Sequence, residues 1–162
     1  MIKDNYLKRY YSIMNSLIQH SFPNLKNKKI KIYESKNLKF SADAKKFPWT
    51  LRIRTNPRLR KYSKKFLTGL FAHELSHLEK FVNDSWFEYY ILRDFKTMSK
   101  RFIKNEEKET DKQAIRKGYA KELYLQRSSR WNAKGKKIEK IRKLYISPNE
   151  IKKYALSIGK WN

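Results

Sequence analysis

The sequence predicts an α+β fold: a small sheet of two to three short strands in the N-terminal half, a mostly helical domain behind it, and a helical C-terminal extension. Three observations carry this. Short apolar alternations cluster before residue 56, apolar sets at helical spacing occupy much of the rest, and no repeat or low-complexity linker demands a second domain. With 162 residues, 40% of them hydrophobic and 15% aromatic, the chain can bury a real core, so residues 1–162 are expected to form one domain.

Taken in order, Tyr6, Tyr10, Ile13 and Leu17 recur at helical spacing and predict a first amphipathic helix ending near Ser21-Phe22-Pro23, its stripe turned to the core. Lys29 to Tyr33 alternates polar residues with Ile30 and Ile32, and Leu38-Lys39-Phe40 and Thr50 to Thr55 alternate again, as short strands do. In the last of these Leu51 and Ile53 face one way and Arg52 and Arg54 the other, which suits a half-exposed sheet. Leu67, Leu70, Phe71, Leu75, Leu78 and Phe81 predict a long helix, with Asn56-Pro57 or Ser63 as its start signal. Asp84 and Ser85 can cap a further helix carrying Phe87, Ile91, Met98 and Phe102. A basic, turn-prone stretch from Ser128 to Lys143 follows a helix around residues 105–118. Ser147-Pro148 then opens a short final helix with Glu150 at the capping-box position.

The long helix contains His73-Glu74-Leu75-Ser76-His77, two of the three histidines in the chain. Residues four apart on a helix share a face with Cβ atoms about 5–6 Å apart, so both imidazoles can bind one tetrahedral metal. Glu74 projects beside them, where its carboxylate can take a proton from a water activated at the metal. A catalytic zinc needs a third protein ligand and keeps its fourth position open. There is no cysteine. His20 lies at the end of the first predicted helix, where interaction with the helix dipole is its expected role. The metzincin extension is absent, since Lys80 and Asn83 replace its glycine and last histidine.

A downstream carboxylate remains. Of Glu106, Glu107 and Glu109, only Glu107 has an aspartate, Asp111, four residues later on the same helix face. One carboxylate of that pair can bind the metal while the other accepts the second N–H of a ligating histidine. Ala114 and Gly118 continue the stripe and Gly69 lies one turn before His73, small residues that are expected to let the two helices pack closely.

His73-Glu74-x-x-His77 followed by Glu107-x-x-x-Asp111 resembles the gluzincin metallopeptidases, most closely their small soluble archaeal-type members, the minigluzincins. The resemblance covers roughly residues 28–127, with a basic extension over about 128–162. It implies that His73, His77 and Glu107 bind zinc, that Glu74 is the general base and acid, and that Asp111 supports the metal site. It also implies a zincin-like domain in which a sheet edge holds an extended peptide, for which Leu51, Arg52, Ile53 and Arg54 are the candidate strand. The oxyanion needs a further donor, and Tyr119, Tyr124 or one of the arginines is available.

The net charge of +25 is unevenly spread. Residues 1–62 hold 16 Lys/Arg against 3 acids, and residues 112–162 hold 15 against 3, whereas residues 63–111 hold 9 of each. The basic flanks can attract nucleic acid or another polyanion. Two functions are therefore expected in order: a zinc-dependent metallopeptidase acting on a peptide or protein substrate, and, as the alternative, a basic nucleic-acid-binding protein with a structural or vestigial metal site. The basic segment Trp131 to Asn162 is also a candidate cover over the carboxylate-rich cleft. No apolar run approaches the roughly 18 residues needed to cross a membrane. The N-terminus lacks the apolar core of a secretory signal, so a cytoplasmic protein is expected.

Overall fold

The computed structural model describes residues 5–38, 41–47, 49–84, 99–131 and 135–161. Over these the chain is α+β. Helix α1 (Asn5–Ser21) buries Tyr10, Ile13, Met14, Leu17 and Ile18, and Tyr6 stays outside beneath the Arg60 guanidinium. After a 3-10 turn at Pro23–Leu25 come β1 (Ile30–Glu34), β2 (Ala42–Phe47) and β3 (Thr50–Thr55). A second 3-10 turn, Pro57–Lys61, is capped by Asn56, and α2 (Lys64–Asn83) is capped by Ser63, so the two start signals serve successive elements. The remaining helices are α3 (Lys100–Arg116), α4 (Ala120–Trp131), α5 (Lys136–Leu144) and α6 (Pro148–Ser157), the last opened by the Ser147–Glu150 capping box. Of the helix expected to start at Asp84-Ser85 and carry Phe87, Ile91, Met98 and Phe102, residues 85–98 lie outside the described residues, while Asp84 closes α2 and Phe102 belongs to α3, which Ser99 caps.

The sheet has the order β1-β3-β2, with β1 parallel and β2 antiparallel to β3. Two expectations change here. The second strand among the described residues is Ala42–Phe47; of Leu38-Lys39-Phe40, Leu38 is buried outside any strand, and residues 39 and 40 are outside the described set. Alanine and lysine make β2 a poor strand former by composition. It forms because β3 supplies partners, including Arg54 directly opposite Asp43, with Arg54 Nε donating to Asp43 Oδ1 at 2.7 Å.

The other correction concerns the peptide-holding edge. β3 is bonded on both sides, so Leu51, Arg52, Ile53 and Arg54 have no free edge to offer. Leu51 and Ile53 are core residues and Arg52 lies over the Phe47 ring. The strand whose outer edge faces α2 and the cleft is β2.

Helix α2 runs through the middle of the molecule, and nearly every residue from Phe66 to Phe81 is buried. A helix covered all round reads apolar all round, yet this one also buries His73, Glu74, Ser76, His77 and Glu79. One side packs with α1 and the sheet through Phe71, Leu75 and Leu78. The other meets Ala114, Ile115, Leu123, Ile146, Ile151 and Ala155 through Ala72. Residues 146–155 therefore complete a core, while Lys136 to Tyr145 of the same C-terminal segment line the cleft.

Gly69 has a different partner from the one expected. It packs on α4, where an added Cβ would lie 2.3 Å from the Glu122 carbonyl oxygen. Gly118, exposed and at φ +96°, closes the end of α3 instead of packing on α2. Gly69→Ala must push α2 and α4 apart and is expected to cost about 2–3 kcal/mol. For a chain of this size that lowers Tm by roughly 5–10 °C. A thermal melt within about 1 °C of wild type would contradict this close approach.

Candidate metal centre

Helical spacing stacks His73 and His77 one turn apart on α2, and α3 crosses that face with Glu107, Thr110 and Asp111 turned toward them. Glu107 Oε2 lies 3.3 Å from His73 Nε2 and 3.4 Å from His77 Nε2. One ligand atom from each of the three residues falls within 4.8 Å of the others. The edge of a tetrahedron with bonds of about 2.0–2.1 Å is about 3.3–3.4 Å, so the imidazole-to-carboxylate separations fit a tetrahedral ion. Three donors of this kind from the described residues leave one position for water or substrate.

The supporting side chains fix which nitrogen is free. His73 donates Nδ1–H to Asp111 Oδ1 at 2.9 Å. Thr110 donates its hydroxyl proton to the Glu106 carbonyl at 2.9 Å, so its oxygen is left to accept from His77 Nδ1, 3.4 Å away. Both Nε2 lone pairs are thereby turned to the metal position. Asp111 was legible from its spacing; Thr110 was not, because a hydroxyl one position before it carries no distinguishing pattern. The other two glutamates are occupied elsewhere: Glu106 with Lys80 and Glu109 with Arg116. His20 sits at the end of α1, bonded to the Ser16 carbonyl and remote from the site.

Electrostatics without an ion match a cation site. Burial works against protonating His73, but its hydrogen bonds to Asp111 and Glu107 outweigh that and raise it to about 10. Burial alone would raise Glu107; the hydrogen bonds from both histidines hold it far below the usual carboxylate range. His77 is lowered, chiefly by burial. Glu74, with only part of its surroundings cationic, is pushed up to about 8 by burial. A carboxyl poised near neutral pH is suited to exchange protons.

Asp111 has further partners. Its carboxylate also accepts from Arg127 Nη2 at 2.7 Å and from the Ile146 N–H at 3.2 Å. Arg127 in turn lies 4.2 Å over the ring of Tyr145. Tyr145 meets the His73 ring edge-on at 5.6 Å and lines the cleft with Glu74, His77, Glu107 and the β2 residues Ala42, Asp43 and Ala44. Burial raises its hydroxyl well above the ordinary tyrosine value, so it remains protonated and able to donate. The two tyrosines proposed from sequence are elsewhere. Tyr119 stacks on Phe22 and shares a hydrogen bond with Ser21, and Tyr124 packs against Trp161. Nothing local marks Tyr145, which follows α5 in a basic stretch; it reaches the site because Ile146 is tied to Asp111.

No family model, curated protein or solved structure matches this chain. No helix among the described residues is long and apolar enough to cross a membrane.

Two predictions follow from this geometry. Asp111→Asn leaves Arg127 without its carboxylate and His73 without its orienting acceptor. It should weaken metal binding about 10–100-fold in a chelator-competition titration, and wild-type affinity in the folded variant would reduce Asp111 to a structural role. Glu74 concerns the metal-free protein. Its pKa is raised on folding from 4.5 to about 8, so the folded state binds the extra proton between those values, and stability falls as pH rises through that window. In chelator, Glu74→Gln should therefore melt above wild type at about pH 9 and converge with it near about pH 4. A wild-type advantage at the higher pH would reverse the sign and refute the assignment.

Proposed function

We propose that the chain is a zinc-dependent metallopeptidase of gluzincin type. The convergence of His73 Nε2, His77 Nε2 and Glu107 Oε2 carries the proposal, because two imidazoles and a carboxylate with one open position are the donor set of catalytic zinc. When bound, zinc would polarise the scissile carbonyl and lower the pKa of water.

The remaining steps belong to the protein. Glu74, buried in the same cleft and raised toward neutrality, takes a proton from the attacking water and delivers it to the departing amine. Tyr145, protonated and lining the cleft, donates to the developing oxyanion. The outer edge of β2 borders a cleft of about 910 Å³ beside the ligands, and a free edge can take an extended peptide by strand addition.

The second function, nucleic-acid binding around a structural ion, is favoured by the net charge of +25. It is less well supported, since a structural zinc is closed by a fourth protein ligand and the described cluster holds three.

The test combines metal content with turnover. One zinc per chain should be present in wild type, Glu74→Gln and Tyr145→Phe alike, and all three should be folded. Wild type should cleave an unstructured protein. Glu74→Gln should be silent, and Tyr145→Phe should lose roughly 10²–10³-fold in kcat with little change in KM. Zinc-loaded wild type that releases no peptide would end the peptidase proposal. Near-wild-type kcat in Tyr145→Phe would end only the role given to that hydroxyl.

A further inference from the structure

A side pocket of about 60 Å³ opens off the cleft between the start of β2 and α4, walled by Ser41, Gln126, Arg127 and Arg130 and, toward the metal position, by His73 and Glu74. Its two guanidinium groups are in different states. Arg127 is committed to Asp111. Arg130 donates to the hydroxyls of Ser41 and Tyr62 and lies over the rings of Tyr62 and Phe66, and it has no ion pair among the described residues. A half-buried guanidinium with only neutral partners has given up water without gaining an anion.

Two further atoms are unused. Gln126, 8% exposed, has its Oε1 buried without a hydrogen-bond partner among the described residues, and so has Arg127 Nε. A buried polar atom left unpaired costs the full desolvation of that atom, which a ligand would relieve. We infer that this pocket receives the carboxylate side chain of an aspartate or glutamate next to the scissile bond of a peptide substrate. The inference rests on the peptidase proposal above. Arg130 supplies the charge-assisted hydrogen bonds. The Gln126 amide offers Oε1 to a substrate main-chain N–H or, turned over, Nε2–H to the carboxylate. The volume admits a few water-sized groups, enough for a carboxylate and too little for an aromatic ring. Lys104, Lys136, Lys140 and Lys143 around the main cleft would draw an acidic segment in without fixing its register.

Binding is measured first, because it needs no turnover. Zinc-loaded full-length Glu74→Gln is titrated with two pools of otherwise neutral peptides that differ by a single Glu or Gln. The Glu pool should bind about tenfold more tightly, the scale of one charge-assisted hydrogen bond. The added substitution Lys8→Gln, which removes an exposed charge on α1, should keep that preference. Arg130→Gln should abolish it. So should Ser41→Asp, which sets a carboxylate against Arg130 without removing its packing, and circular dichroism identifies which variants are folded. No preference for Glu, or a preference that survives both substitutions in folded protein, overturns the inference and attributes any attraction to net charge. Cleavage sites of active wild type then separate the two proposals. Cuts without an acidic neighbour overturn the pocket assignment and leave the peptidase standing. No cuts alongside Arg130-dependent binding end the peptidase proposal and overturn the placement beside a scissile bond, leaving only a pocket that binds acidic peptides.

Discussion

The carboxylate of Asp111 is the constraint on which the site depends. It is fully buried, and taking a charge out of water costs several kcal/mol unless it is paired and hydrogen-bonded. Three donors from three parts of the chain meet that cost: His73 on α2, Arg127 on α4 and the N–H of Ile146 ahead of α6. The same three contacts set the imidazole's tautomer, hold the guanidinium under Tyr145 and bring Tyr145 into the cleft. One ionised group thus fixes the meeting point of four helical segments and the orientation of two groups in the site.

Stability and chemistry share α2. Its apolar residues join the two core clusters, while its histidines and Glu74 occupy buried positions that an apolar side chain would fill at less cost. Like charge makes this worse without an ion, since the Glu107 carboxylate raises the cost of ionising Glu74. An ion that binds only the folded chain stabilises it by mass action, so an ion held by the His-His-Glu cluster would tie the fold to its presence. The polar seam beside it, Lys80 to Glu106 and Lys117 and Gln113 to Glu79, holds α2 and α3 together where apolar contact is interrupted.

Charge is organised around the cleft as well as along the chain. The His-His-Glu cluster comes from the neutral middle of the sequence, whereas most basic residues of the walls come from the C-terminal flank: Arg127 and Arg130 from α4, and Lys136, Lys140 and Lys143 from α5. Asp43 and Glu139 line the same cleft, so Glu74 meets carboxylates as well as cations, and Glu107 and Asp43 add to burial in raising it.

The sequence by itself determined whatever depends on a single period. Residues 73 and 77, and 107 and 111, must share helix faces at a spacing of four. Ser147-Pro148 with Glu150 must start a helix, and the alternation at 50–55 must bury Leu51 and Ile53. Periodicity says which side chains share a face and is silent on what faces them. Only the tertiary structure put β3 at the centre of the sheet and gave the cleft edge to β2, whose alanines and lysines earn no strand signal of their own. Packing alone chose Glu122 as the partner of Gly69 and brought Tyr145, Arg127 and Arg130 to the site in place of Tyr119 and Tyr124. Those outcomes rest on contacts between elements far apart in sequence. Such contacts are selected by shape and by the pairing of buried charge, neither of which leaves a local pattern.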